Sequence, residues 1–126
     1  MFNKVMFSSA HDNWSTPNEV YDVLHKEFGF NDDPCPIGGS GGLDRRWGSS
    51  TFVNPPYSEI QEWVKKGYEE SQQGGVIVML IPSRTDTRWW HDYVMKAKEI
   101  RFIKGRLRFG GQKNSAPFPS AIVVFK

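Results

Sequence analysis

Thr51-Phe52-Val53-Asn54-Pro55-Pro56-Tyr57-Ser58 changes character twice within a few residues. Thr51-Phe52-Val53 is a short run of β-branched and aromatic residues, the composition of a strand. Two prolines then fix φ and withdraw two backbone donors, so the strand must end there. Ser58 offers an N-cap hydroxyl with Gln61 three residues on, and Ile60, Trp63, Val64 and Tyr68 recur at helical spacing. The stretch therefore predicts strand, rigid turn and helix in succession.

Working outward, the same alternation continues. Val76 to Ile81 is an unbroken apolar run closed by Pro82, the pattern of a strand covered on both faces. Upstream, Thr16-Pro17-Asn18-Glu19 reads as a helix start, with Thr16 as N-cap, Pro17 in the first turn and Glu19 completing a capping box. Val20, Val23, Leu24 and Phe28 mark that helix's inner face, and Gly29 its stop. Phe28 to Asp33 has room for a brief strand, and Pro36 to Ser50 is Gly- and Ser-rich loop. Downstream, a third helix is expected over about Asp86 to Lys98, with Trp90, Tyr93, Val94 and Ala97 inward. Short strands are expected at Ile100–Ile103, Leu107–Phe109 and Ala121–Phe125. Strands alternating with helices define an α/β protein with a central sheet and helices on its faces.

A length of 126 residues fits one domain, 1–126, and 38% hydrophobic content supplies it with a core. No apolar run approaches the roughly 20 residues that span a bilayer, and no signal-peptide pattern opens the chain. Cys35 is the single cysteine, which excludes an internal disulfide and points to a reducing cytoplasm. Charge is unevenly divided. Residues 1–63 carry four Lys/Arg and nine Asp/Glu, a net of −5; residues 64–126 carry twelve and five, a net of +7. A basic half suits contact with a polyanion, since Lys and Arg contacts to phosphate dominate nucleic-acid affinity.

Ligands of α/β sheets bind beyond the carboxyl ends of the strands, where Asp33-Pro34 and Asn54–Tyr57 are both expected. In Asn54-Pro55-Pro56-Tyr57, an Asn side-chain oxygen and a proline carbonyl can accept both hydrogens of one amino group. That grip aims the nitrogen lone pair at an electrophile and stabilises the positive charge that grows during attack. Tyr57 adds a stacking face for a base, worth about 1–3 kcal/mol in nucleic-acid sites. A strong general base is not required, because the proton becomes acidic only after the new bond to nitrogen forms.

The tetrapeptide matches the (Asp/Asn/Ser)-Pro-Pro-(Tyr/Phe/Trp) motif of amino-group methyltransferases. The chain as a whole resembles the phage and prophage Dam-type DNA N6-adenine methyltransferases. The matching stretches are Trp14-Ser-Thr-Pro17, Asp33-Pro-Cys-Pro36, Phe52-Val-Asn-Pro-Pro-Tyr-Ser58, Met79 to Trp90, Phe102 to Phe109 and Ala116 to Ala121, in the family's order. The resemblance implies a compact, shortened Rossmann-like methyltransferase fold with a mixed sheet, using S-adenosylmethionine to methylate adenine N6 in DNA. It implies Asn54, Pro55, Pro56 and Tyr57 as catalytic residues. It places Trp14, Thr16, Pro17, Asp33, Pro34, Cys35 and Asn54 at the cofactor, with Asp33 taking its ammonium and Thr16-Pro17 its carboxylate; Asp32 is the alternative to Asp33. Fewer residues than in relatives separate Asp33 from Asn54, and Gly41 stands where relatives often carry an acidic residue.

Arg84, Arg88, Lys104, Arg106 and Arg108 are the expected nucleic-acid contacts, and Trp89-Trp90 is a candidate to wedge or stack on bases, with one of the two rings expected in the core. No metal is expected: His11, His25 and His91 lack ligand spacing, and methyl transfer needs none. The expected setting is a bacterial cytoplasm, with DNA as partner and a homodimer left open. Two alternatives remain open: methylation of RNA amines or protein glutamine, and a non-catalytic nucleic-acid-binding remnant of the fold.

Overall fold

The computed structural model describes residues 15–36, 41–109 and 115–126. Four strands form one sheet: β1 (Ser50–Val53), β2 (Val76–Pro82), β3 (Glu99–Phe102) and β4 (Ser120–Phe125). Their spatial order is β1-β2-β4-β3. β1 and β2 run parallel, with Val53 opposite Met79. β4 is antiparallel to both neighbours, placing Ser120 opposite Pro82 and Ala121 opposite Phe102. The carboxyl ends of β1, β2 and β3 therefore share one edge of the sheet with the start of β4.

Outside β1, Asp32 makes a single parallel bridge to Thr51. The Asn31 amide donates to the Ser50 carbonyl at 2.8 Å and the Phe52 amide to the Asp32 carbonyl at 3.1 Å. The strand expected from Phe28 to Asp33 is thus reduced to one bridge. Pro34 has no amide to extend the ladder, and the Asn31 and Asp32 side chains accept from the Ser50 and Gly48 amides instead.

Along β2 and β4 the side chains alternate between two cores, as period-2 geometry requires. Ile77, Met79, Ile81, Ala121, Val123 and Phe125 join Trp63, Val64, Trp90 and Val94 on one face. Val78, Leu80, Ile122 and Val124 join Leu24, Phe30, Phe52 and Phe118 on the other. Burial on both faces explains the uninterrupted apolar run of β2. Among the described residues, no helix is long and apolar enough to cross a membrane.

Three helices are described: α1 (Asn18–Phe28), α2 (Ile60–Gln72) and α3 (Arg88–Asp92). α1 ends as expected at Gly29, whose φ of 61° is the left-handed conformation that a glycine adopts without a Cβ clash. Its inner face differs from expectation. Val23 is 65% exposed, while Tyr21 turns inward, edge-on to Phe52 with ring centres 5.2 Å apart. α2 begins later than expected, because Tyr57–Glu59 forms a tight 3-10 turn and Glu59 occupies the N-cap without a side-chain bond. Ser58 falls inside that turn and is not the cap. Trp63 and Val64 are buried, and Gly67 lets α2 approach β2: a Cβ there would meet the Met79 sulfur at 2.8 Å.

The third helix is much shorter than the expected Asp86–Lys98. Thr87 caps α3 by accepting from the Trp90 amide at 3.3 Å, Tyr93 leaves helical geometry at φ −124°, and a 3-10 turn covers Val94–Lys96. The chain must be extended again by Lys98, whose amide already donates to the Val124 carbonyl at 2.9 Å. Leu107–Phe109 is not a strand either. After the turn at Gly105 (φ 76°) it runs irregularly, tied by the Ala116 amide donating to the Leu107 carbonyl at 2.7 Å.

Candidate active site

β1 delivers Asn54 to the carboxyl edge of the sheet, and the two buried prolines behind it hold the turn rigid. The Asn54 carboxamide is half-buried, and its Nδ2 donates to Thr16 Oγ1 at 2.9 Å. Thr16 precedes α1, but its side chain does not cap that helix: Pro17 occupies the N-cap with extended geometry and no side-chain bond. The expected capping box is therefore absent. The hydroxyl that would have closed it reaches across to β1.

A pocket of about 200 Å³ opens between the start of α1 and the ends of β1 and the Asp32 bridge. Of the residues expected at a cofactor, Thr16, Asp33, Cys35 and Asn54 line it. Pro17 and Pro34 are buried behind these neighbours, and Trp14 lies outside the described residues. Sequence reasoning missed Asn18, Tyr21 and Phe52, which also line the pocket together with Ser15 and Pro36. The signal for two of them was present: Asn18 and Tyr21 are three apart on α1 and so share a face. Phe52 follows from the alternation of β1, since Val53 faces the opposite core.

The adjacent acids Asp32 and Asp33 divide into different tasks. Asp32 accepts from both terminal nitrogens of Arg45 at 2.8 Å, and from the Gly48 amide at 2.9 Å. The Arg45 guanidinium holds its carboxyl below the ordinary value against partial desolvation. Asp32 thus pins the returning loop to β1. Asp33 points into the pocket. Withdrawal of its carboxylate from water raises its pKa; the Cys35 amide, donating at 3.2 Å, opposes this in part, and the Asp32 charge reinforces it. A carboxylate on the wall of this pocket, still exposed to solvent, is suited to meet a cation.

The loop 41–48 is fastened to α2 by Glu70, which is buried. Its carboxylate accepts from the Trp47 amide at 3.1 Å, from Lys66 at 3.0 Å and from Arg46 at 3.3 Å. Burial opposes its ionisation most strongly, but the Trp47 amide and the Lys66 and Arg46 cations together hold its pKa below the usual range. The glycines of residues 37–40 lie outside the described residues. Gly42 is needed where it stands, because a Cβ there would meet the Pro34 carbonyl oxygen at 2.1 Å and the Trp63 ring at 2.6 Å.

Tyr57 is half-buried and sits edge-on to Phe118, 5.1 Å between centres, so the second core extends to the motif. Arg84, Arg88, Lys104, Arg106 and Arg108 are all exposed. Arg84 follows β2 and Lys104 follows β3, which puts both at the edge that carries Asn54. Arg101 has a different use: it binds both carboxylate oxygens of Glu27 and also pairs with Glu99, joining β3 to α1. The base-stacking reading of Trp89-Trp90 fails, since both rings are buried at 8% and 2% exposure. Among the described residues no group of three or more His, Cys, Asp or Glu side chains is arranged to hold a metal ion.

Residues 38–125 match the family model described as DNA N-6-adenine-methyltransferase (Dam), a span that includes all four strands and Asn54–Tyr57. A DNA N-6-adenine-methyltransferase of Escherichia phage T1 is 31% identical, over 79% of this chain and 48% of its own length. The chain thus spans about half the length of that curated relative. The chain belongs to the Dam family of DNA N-6-adenine-methyltransferases.

Proposed function

We propose that this chain transfers a methyl group from S-adenosylmethionine to the N6 amine of adenine in DNA, within a shortened Rossmann-like fold. The observation that carries the reading is the Asn54 carboxamide, set at the rim of a pocket by a rigid Pro-Pro turn and by the 2.9 Å bond to Thr16. With Nδ2 engaged by Thr16, the acceptor that an amino group requires is Oδ1, which is withdrawn from solvent.

The parallel arrangement of the Asp32 bridge, β1 and β2, with ligand-facing residues at their carboxyl ends, supports the fold assignment. The pocket residues fit the cofactor. Asp33 offers a carboxylate for its ammonium. The amides at the start of α1, which no side chain caps, suit its carboxylate, and Tyr21 and Phe52 supply flat apolar walls. When bound, the cofactor supplies an electrophilic methyl group on a sulfonium.

The chain's own residues then act on the acceptor. Asn54 Oδ1 and the Pro55 carbonyl hold the two amine hydrogens and orient the lone pair, while Tyr57 offers a face to the ring. The same two acceptors stabilise the charge that develops on nitrogen. A base in a duplex must leave the stack to reach this edge. The exposed Arg84, Arg88, Lys104, Arg106 and Arg108 hold the backbone phosphates beside it.

The test is purified protein with isotope-labelled cofactor, offered unmethylated DNA, RNA or protein in separate reactions. Label is expected in DNA alone. Label in RNA or glutamine instead would move the substrate class, and DNA binding without cofactor binding would identify a non-catalytic member of the family.

A further inference from the structure

We infer that Phe102 is a base-contacting residue, a ring that stacks on a DNA base other than the one held at Asn54; this rests on the reading of DNA as the substrate. Among the described residues it is the one phenylalanine, tyrosine or tryptophan left exposed, at 64%. A single exposed apolar side chain is ordinary on a protein surface. Phe102 differs in how it is held, in the charge around it and in where it stands.

Phe102 closes β3 opposite Ala121, and the next amide, that of Ile103, donates to the Ser120 carbonyl at 3.1 Å. Its ring lies at 28° to that of Trp90, with 6.2 Å between centres, and Trp90 is buried. The core thus braces one side of the ring while the rest stays open to solvent. A flat side chain already fixed in this way loses little freedom when a base covers it.

The surrounding charge favours DNA as the occupant. Arg45, Arg46 and Arg101 are each engaged by carboxylates. Arg84, Arg88, Lys104, Arg106 and Arg108 are exposed, and among the described residues no ion pair engages them. Arg88 opens α3 two residues before Trp90, and the other three basic residues from Lys104 onward follow Phe102 directly. A second copy of this chain docked on the same face would set these cations against their own kind. A nucleic acid offers phosphates to them and a base to the ring.

Position decides which base. β3 stands three strand spacings from β1, a span of about 14 Å, or about four base steps. The ring is too far from Asn54 to cover the target base, so its partner is another base in the bound segment.

The test measures binding by wild type, Phe102→Ala, Phe102→Leu and Phe102→Tyr to a mixed-sequence oligodeoxynucleotide of about 12 nucleotides, and to an abasic oligomer of equal length. On the base-bearing strand, Kd is expected to rise about tenfold in Phe102→Ala and Phe102→Leu, equal to about 1.4 kcal/mol, and to stay within twofold in Phe102→Tyr, which keeps a flat ring. The slope of log affinity against log salt should not change, because no phosphate contact is lost. On the abasic oligomer all four proteins should bind alike. Equal losses on both oligomers, or unchanged affinity of Phe102→Ala for the base-bearing strand, would overturn the inference. So would a dimer in sedimentation that Phe102→Ala dissociates with DNA affinity retained, since the ring would then face a second copy. Ring-dependent binding by a wild type that transfers no methyl group would overturn the methylation reading and leave the Phe102 contact standing.

Discussion

Replacing Asp32 and Asp33 by alanine, one at a time, should produce opposite phenotypes from adjacent positions. Asp32→Ala removes two bonds to Arg45 and one to the Gly48 amide. Arg45 is 48% exposed, so the ion pair itself is worth only about 0.5–1 kcal/mol. The amide bond to a charged acceptor adds about 1.5 kcal/mol, for a total of about 2 kcal/mol. A chain of this size melts about 4 °C lower per kcal/mol, so Tm should fall by about 8 °C. Asp33→Ala removes one longer bond, from the Cys35 amide at 3.2 Å, made by an exposed side chain, so its Tm should stay near wild type.

The pH dependence carries the same signature. The Asp32 pKa is depressed on folding, so its stabilisation is present above the unfolded pKa and is lost as pH falls through the folded value. The Asp33 pKa is raised, so its contribution favours folding below the unfolded pKa and is lost as pH rises through the folded value. Binding should invert the ranking. Calorimetry with S-adenosylhomocysteine should show a loss of about 10- to 100-fold for Asp33→Ala, the value of one charge-assisted bond, and a small change for Asp32→Ala at temperatures where it is folded. If Asp33→Ala binds like wild type, or melts below Asp32→Ala, the division of labour between the two acids is refuted.

Gly67→Ala should cost about 1–3 kcal/mol by overpacking α2 against Met79, Ile77 and Phe125; a wild-type melting curve would show that the helix can shift freely. Glu70→Ala leaves the Trp47 amide and the Lys66 cation without their acceptor and should lower stability by about 2–4 kcal/mol in urea melts at neutral pH. Because the Glu70 pKa is depressed, that difference should shrink as pH falls through the folded value. Charge reversal at Lys104, Arg106 and Arg108 together should weaken DNA binding and flatten the slope of log affinity against log salt by about 0.9 per lost phosphate contact on duplex. An unchanged slope would remove these residues from the interface.

What was legible in the sequence follows physical lines. β1, β2 and β4 and the inner positions of α2 could be read because side-chain periodicity reports burial directly, and Asn54-Pro55-Pro56 because proline stiffness is a local property. The errors occur where a distant partner competes with a local rule. Thr16 has every feature of an N-cap, yet its hydroxyl serves Asn54. Ser58 precedes a helical pattern, yet the turn after Pro56 takes three more residues to enter the helix. The helix expected through Lys98 is cut short because β3 must begin pairing with β4. Trp89 carries no mark in the sequence that separates a stacking ring from a core ring. Asp32 and Asp33 could not be told apart either, since only the position of Arg45 and the Gly48 amide decides which acid is engaged.

The central claim is that Asn54, at the end of β1, holds an adenine amine for methyl transfer. Its most direct test is a reaction of wild type and Asn54→Ala with trideuteromethyl S-adenosylmethionine and unmethylated DNA, digested to nucleosides and read by mass spectrometry. N6-trideuteromethyl-deoxyadenosine is expected from wild type, with its loss by at least a hundredfold in Asn54→Ala and S-adenosylhomocysteine affinity largely retained. Deuteromethyl label on a different atom, or equal N6 label from both proteins, would contradict it.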